Sequence, residues 1–360
     1  MIDRRNFLVG VTCLGAVPVG AWAIPALGND NPVVDAFVKA QGFQGVVMLG
    51  RAGKPRYARA FGMADIEAGT PATVETRYAI ASISKLLTTA TVLKLVEQGK
   101  LALDSPIATW LPGYRDDTGS HVTLRHLLSN MSGIPNGFGT AAKADPTLVT
   151  REIATADAVK IYASGDLIFE PGAKFDYAMT NWFVVIAIVE AVTGRPFQEV
   201  MHAVTLDPLD LLHTDAASAI QDLPDTAASY RGTPLARVSG KRLAVMAAAG
   251  GYYSTAGDLM RAAHVIYDTG FLSRESRRQL ETIQSPADAY ALGGRIHSLK
   301  IGGQTRLAGW ATGNTAGYRS VVGHRLDDRS TVVILNNTGM SQRTLDLFAD
   351  SLFGAEPPAG

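Results

Sequence analysis

Apolar and polar positions alternate in two stretches at opposite ends of the chain. The first, "FQGVVMLGRAGKPRYARAFGMAD", spans residues 43–65. Two alternating runs there flank Arg51-Ala52-Gly53-Lys54, a turn signal that predicts a β-hairpin. The second, "AGYRSVVGHRLDDRSTVVILNNT", spans residues 316–338 and sets β-branched runs on either side of Leu-Asp-Asp-Arg. A sheet built from both hairpins closes the fold on itself, so the pattern predicts one intertwined unit rather than domains in series. A short helix is expected just before the first hairpin, from about Asn29 to Ala40.

Between the hairpins the period lengthens to that of a helix. "SISKLLTTATVLKLVEQGK" places Ile83, Leu86, Leu87, Ala90, Leu93 and Leu95 or Val96 on one stripe, with Gly99 as a stop. "TNWFVVIAIVEAVTG" is apolar on every side, which marks a buried helix, with Thr180 as its expected N-cap and Gly194 after its end. "STAGDLMRAAHVIYDTG" begins with Thr255 followed by Asp258, the spacing of a capping box, and ends at Gly270. "NMSGIPNGFGTAAKADP" is so interrupted by Gly and Pro that it reads as a long loop. No internal repeat or low-complexity tract breaks the chain.

Composition narrows the class. The 360 residues are 47% hydrophobic and 18% charged, enough for a large globular core. Net charge is zero, which leaves no basic surplus to hold a nucleic-acid backbone. The first residues, "MIDRRNFLVGVTCLGAVPVGAWA", carry paired Arg4 and Arg5, an apolar run and small residues at Ala21 and Ala23. That is the layout of a cleavable signal peptide of twin-arginine type, residues 1–23, and it predicts export to the periplasm or beyond. The run is short against the ~20 residues of a membrane span and is broken by Pro18, so no span is expected after cleavage. The single cysteine, Cys13, lies inside this segment, and the mature chain carries no thiol chemistry. Val11 and Thr12 before it do not form a lipoprotein box.

Candidate chemistry sits at Ser82-Ile83-Ser84-Lys85. On a helix, Lys85 falls on the same face as Ser82, one turn away. A lysine there can accept the serine proton, and the helix start offers the Ser82 backbone N–H to a developing oxyanion. The bland alternative is a helix cap beside a solvated lysine. Lys85 lies between Ile83 and Leu86, however, in a segment with few other charges.

The surrounding blocks carry a resemblance. "SISKLLTTATVLKLVEQGKLALDSPIATWLPGY", "VTLRHLLSNMSGIP", "FEPGAKFDYAMTNWFVVIAIVEAVTGRPFQEVM" and "AAAGGYYSTAGDLMR" are similar, in order and spacing, to blocks of the serine β-lactamase-like family over roughly residues 31–350. That family includes class C β-lactamases, D-alanyl-D-alanine carboxypeptidases, D-aminopeptidases and class VIII esterases. The resemblance implies an α/β fold: an antiparallel sheet from both chain ends, flanked by helices, with a mostly helical insertion over about 100–250. Residues 29–355 would then form one hydrolase domain. It also implies that Ser82 is an acyl-accepting nucleophile, Lys85 its proton partner and Tyr177 a base or acid beside them. The oxyanion hole would comprise the backbone N–H groups of Ser82 and Asn314.

Two motifs depart from the family. Its Tyr-x-Asn falls on Tyr177-Ala178-Met179, and the thioether of Met179 cannot hold a substrate amide as asparagine does. Asn181 lies in the following helix and is read as structural. The family's cation-Thr-Gly falls on Ala311-Thr312-Gly313, with Trp310 before it and Gly317-Tyr318 after it. β-Lactams and D-alanyl peptides present a carboxylate and an amide that these missing groups would bind. Their loss points to an ester substrate, as in class VIII esterases. Arg295 and Arg319 are read as surface strand residues rather than replacement anchors. A D-alanyl-D-alanine carboxypeptidase or β-lactamase, and a non-catalytic binding module, are the alternatives. The expected partner is a small ester, amide or peptide, with no cofactor and no metal. The seven histidines show no ligand spacing. Gly-x-Ser-x-Gly is absent, and "GFGTAA" lacks the third glycine and the preceding strand of a dinucleotide loop. His126 belongs to a packing block, and the sequence leaves the oligomeric state open.

Overall fold

The computed structural model describes residues 30–216, 225–238 and 243–356. The expected signal segment, with Arg4, Arg5 and Cys13, lies outside the described residues. Helix α1, Pro32–Gln41, starts where the Asn31 side chain accepts hydrogen bonds from Val33 and Val34 N–H at 3.1 and 3.2 Å. It stops at Gly42 in the left-handed conformation.

Strands β1, Gly45–Arg51, and β2, Lys54–Phe61, form the first hairpin. Ala52 and Gly53 both have positive φ, 51° and 71°, which is the two-residue turn whose twist matches the strands. Four further strands follow near the other end: β3, Arg295–Ile301; β4, Gln304–Thr315; β5, Tyr318–Arg325; and β6, Ser330–Asn336. They join in one antiparallel sheet of order β3-β4-β5-β6-β1-β2. β1 pairs with β6 from Gly45 opposite Asn336 to Arg51 opposite Ser330. The two chain ends therefore share a sheet, as their patterns predict.

β1 departs from simple alternation. Val46 and Met48 face the large helical core, while Val47 faces a second cluster with Val34, Leu345 and Phe348. That second cluster lies under α1 and the C-terminal helix, and Phe37 stacks on Phe348 with ring centroids 3.7 Å apart. Both sheet faces are covered, so the centre of β1 is apolar at consecutive positions.

The main helices lie on the other side. α2, Ser84–Glu97, is buried at every position from Ser84 to Leu95 except Lys94, so the expected stripe is replaced by burial all round. Among its buried polar positions, Thr88 Oγ1 donates to Ala248 O at 3.1 Å and Thr91 Oγ1 to Leu87 O within the helix at 3.0 Å. α3 spans Thr180–Thr193 and ends at left-handed Gly194. Thr180 is its first residue and not its cap; its hydroxyl donates to Pro135 O at 2.9 Å. α4, Ala256–Asp268, is capped by Thr255 Oγ1, which accepts from Asp258 N–H at 3.2 Å. The capping box is not completed, because the Asp258 carboxylate accepts from Thr214 Oγ1 and His213 N–H, both at 2.8 Å.

The expected loop at 130–146 contains a helix, Gly137–Ala144, capped by Asn136. Glycine weakens a helix locally, which hid it. Gly137 is there for space: a Cβ would meet Tyr162 O at 2.4 Å. α5, Gln342–Leu352, completes the fold with Ser341 as its cap. Among the described residues no helix is long and apolar enough to cross a membrane.

Candidate active site

Ser82 stands in a tight turn, Ala81–Ile83, that leads into α2. The bend is made by Ala81, whose φ of 46° is unusual for a residue with a side chain. The turn is wedged from two sides. A Cβ on Gly250 would contact Ala81 at 3.3 Å, and one on Gly313 of β4 would come within 2.2 Å of Ile80 O. The backbone of β4 thus lies directly against the segment that carries Ser82.

Lys85, in the first turn of α2, is only 2% exposed. Its Nζ lies 3.1 Å from Ser82 Oγ and donates to Ala249 O. It also sits over two rings, 4.9 Å from the centroid of Tyr177 and 5.3 Å from that of Trp182. This is not a solvated lysine. Tyr177 comes from the segment before α3, and its Oη is 2.6 Å from Ser82 Oγ. The residue is 40% exposed, but its hydroxyl end is enclosed between Ser82 and Lys85. Burial pushes its pKa up; the positive charge of Lys85, hydrogen bonds with Lys85 and Ser82, and the charge of Arg295 outweigh that and leave it below 10.0.

Asn130 fixes the Tyr177 segment. It is fully buried with a positive φ of 55°. Its carbonyl accepts from Asp176 N–H at 2.8 Å and its side-chain oxygen from Ala178 N–H at 3.4 Å, one on each side of Tyr177. Asn181 Nδ2 donates to the same oxygen at 3.2 Å, and Asn181 Oδ1 accepts from Ser132 Oγ at 2.6 Å. Asn181 thus holds the loop to α3. Asn130 was not singled out from sequence; the available signal was an asparagine, the residue type that tolerates a left-handed backbone, ahead of Met-Ser-Gly.

A cavity of about 530 Å³ opens over Ser82 and Tyr177, walled by Tyr290, Arg295, Thr312 and Gln342. Tyr290 is buried and meets Tyr177 edge-on at 6.5 Å; burial and the neighbouring Tyr177 raise its pKa well above the ordinary phenol. β3 covers β4 only as far as Trp310, opposite Arg295. From Ala311 onward that edge of β4 has no strand beside it, and Ala311, Thr312 and Asn314 border the cavity. An open strand edge presents free backbone N–H and C=O groups. Ser82, at a helix start, likewise carries an N–H outside the intrahelical pattern. Gly313 packs under the Ser82 turn, and Met179 packs half-buried on the helical core at the start of α3, so neither side borders the cavity. Arg319 is turned to backbone carbonyls of Ala316 and Tyr318. Another depression, of about 540 Å³ at the tip of the first hairpin, holds Arg51, Lys54 and Asp328 but no nucleophile.

The family model for Beta-lactamase matches residues 31–350. Esterase EstB of Burkholderia gladioli is 29% identical over 331 residues, covering 82% of this chain and 79% of that protein. Among solved structures, a penicillin-binding protein from Bacillus halodurans superposes with a TM-score of 0.76 at 22% identity, over 90% of this chain and all of the other. A D-stereospecific amidohydrolase from a Streptomyces species gives 0.73 at 24% identity, over 88% and 98%.

Proposed function

We propose, from the premise that the chain belongs to the β-lactamase family of serine hydrolases, that it is an exported ester hydrolase acting through an acyl-enzyme on Ser82. The observation that carries this is the placement of one hydroxyl, Ser82 Oγ, between Lys85 Nζ at 3.1 Å and Tyr177 Oη at 2.6 Å on the wall of a cavity.

In this reading Tyr177, whose pKa the charge of Lys85 lowers against the effect of burial, takes the Ser82 proton as a phenolate while Oγ attacks the ester carbonyl. The tetrahedral oxyanion is held by the backbone N–H groups of Ser82 and Asn314. Collapse breaks the bond to the alcohol, which leaves with the proton from Tyr177. Water then gives a proton to Tyr177 as its oxygen bonds to the acyl carbon, and the bond from that carbon to Ser82 Oγ breaks as Tyr177 returns the proton to Oγ, releasing the acid. Thr312 and Ala311 line the substrate side.

Esters are favoured over amides because two binding groups are changed. Met179 and Ala311 stand where the family places an amide-binding asparagine and a cation, and a charge-assisted hydrogen bond contributes about 1.5–3 kcal/mol. An alkoxide is also a better leaving group than an amine. The β-lactam or D-alanyl peptide reading keeps one supporting observation, the position of Arg295 in the cavity.

The test incubates residues 29–355, taken as one domain, with p-nitrophenyl butyrate, a chromogenic cephalosporin and a D-alanyl peptide, beside Ser82→Ala. Ester turnover and an adduct by intact mass, both lost in Ser82→Ala, are expected. Absence of turnover and adduct with every substrate would leave a binding module as the function. Export is proposed from Arg4, Arg5 and the small residues at 21–23. Arg4→Lys with Arg5→Lys should retain the protein in the cytoplasm, and unchanged fractionation would refute the signal.

A further inference from the structure

The end of the sheet away from Ser82 holds the other concavity. β5 touches the Ser82 turn near its start, where Ser320 Oγ donates to Ile80 O at 3.3 Å, and its far end runs into the turn 326–329. That turn is stitched to the β1–β2 turn beside it: Ala52 N–H donates to Arg329 O and Arg51 Nε to Asp328 O, each at 2.8 Å. Between the two turns lies the depression of about 540 Å³, bordered by Arg51, Lys54, Arg56, Asp327, Asp328 and Arg329.

The four cations there are all exposed. Arg56 is placed by a β-bulge. Leu49 lies opposite Tyr57 and Gly50 opposite Pro55, so Arg56 is an extra residue in β2, and a bulge re-aims the side chain it carries. Arg329 stands at a φ of 64°, a left-handed position uncommon for a residue with a long side chain. The two carboxylates are taken up by other groups. Asp327 is held by Arg325 at 2.8 Å and Arg306 at 3.3 Å, and Asp328 by Arg325 at 3.2 Å and by Ser330 N–H at 2.9 Å. Among the described residues no carboxylate is within ion-pair reach of Arg51, Lys54, Arg56 or Arg329. A concave site with an excess of one charge concentrates the opposite one.

We propose that this depression binds a phosphate group, either of a soluble phosphate or of a lipid headgroup. A carboxylate offers two coplanar oxygens and is satisfied by a single guanidinium, as Asp327 is by Arg325 Nε at 3.0 Å and Nη2 at 2.8 Å. Three guanidinium forks and an ammonium around one hollow suit a tetrahedral group with several charged oxygens. The stitched turns hold the walls in place before the anion arrives, which lowers the ordering cost of binding. The site goes beyond the hydrolase reading and does not depend on it, because the depression shares no residue with the cavity over Ser82.

The experiment titrates the full chain calorimetrically with sodium pyrophosphate at about 0.15 M salt, where exposed charges more than about 8 Å apart are largely screened. In parallel the chain is sedimented with vesicles of phosphatidylglycerol and phosphatidylcholine in equal parts, and with phosphatidylcholine alone. Arg56→Gln and Arg329→Gly each remove one cation, and glycine accepts the left-handed backbone at 329. Lys160→Gln, at an exposed position of the helix Thr155–Tyr162, controls for net charge. Binding of at least one probe is expected, weakened roughly ten-fold in each depression variant and less than about two-fold in Lys160→Gln. Pyrophosphate binding assigns the site to a soluble phosphate. Sedimentation that needs phosphatidylglycerol, without pyrophosphate binding, assigns it to the headgroup. Binding of neither probe, or binding weakened as much by Lys160→Gln as by the depression variants, would overturn the proposal.

Discussion

Gly313→Ala isolates the contribution of the β4 edge. Gly313 has an ordinary backbone conformation, and what it supplies is room: a Cβ would lie 2.2 Å from Ile80 O, against a practical minimum of 3.0 Å. Ile80 O is backbone and cannot rotate away, so β4 and the Ser82 turn must part by about 0.8 Å. The next residue is Asn314, whose N–H is proposed to hold the oxyanion. A displacement near 1 Å in a catalytic group costs on the order of a hundred-fold in rate, similar to removing one oxyanion donor. Overpacking also costs about 1–3 kcal/mol of stability. The assay is kcat on p-nitrophenyl butyrate, normalised to Ser82 labelled by a phosphonate, together with thermal melting. A hundred-fold loss in kcat with KM little changed and a modestly lowered Tm is expected. If kcat stays within about three-fold of the parent while the Tm falls, β4 does not position the oxyanion.

Three further outcomes follow from other residues. Tyr177 lies below 10.0, so kcat/KM should rise with pH through a limb below that value as the phenol loses its proton; Lys85→Met should move the limb upward and Tyr177→Phe should abolish it. Asn130→Gly keeps the left-handed backbone but deletes the bond to Ala178 N–H, and a roughly ten-fold loss in kcat is expected with fold retained by circular dichroism; unchanged kcat would refute the positioning of Tyr177. Burial raises the Asp268 carboxyl, but His324 at 3.1 Å and His264 at 2.7 Å outweigh it and hold it below 3.8. Its contribution is therefore present above the unfolded value and lost as pH falls through the lower folded one. Asp268→Asn should remove about 1–3 kcal/mol at pH 7 and flatten the acid limb of Tm against pH.

The parts of the fold legible in the sequence were those with local signals. β-Branched runs flanking Gly53 or the Asp327-Asp328 turn give hairpins from a few adjacent residues. β3 and β4 carry no such signal, because "RIHSLKIGGQTRLAGWATGNT" mixes charge and glycine along the exposed edge of the sheet. α2 showed a helical period but not its full burial, since its run of buried threonines reads as polar and the partner of Thr88, Ala248 O, lies on another segment. Ser82 and Lys85 share one helical turn, so their spacing is readable. Tyr177 is 95 residues from Ser82, and only the resemblance brought it in. Asn130 acts through its backbone conformation, and Arg295 through which cavity its strand borders; neither leaves a pattern in neighbouring residues.

The pairing of β1 with β6 also sets an order of events for the chain. Gly45 pairs early with Phe61 of β2, but its other edge finds its partner only in Asn336, so a nascent chain displays one unpaired β1 edge until nearly all of it has been made. Non-local pairing of this kind slows folding. The turn carrying Ser82 leans on β4 and therefore takes its final shape in the same late step. Recovery of ester hydrolysis after dilution from denaturant should lag recovery of helix signal, which makes turnover a reporter of the last closure and not of the first collapse.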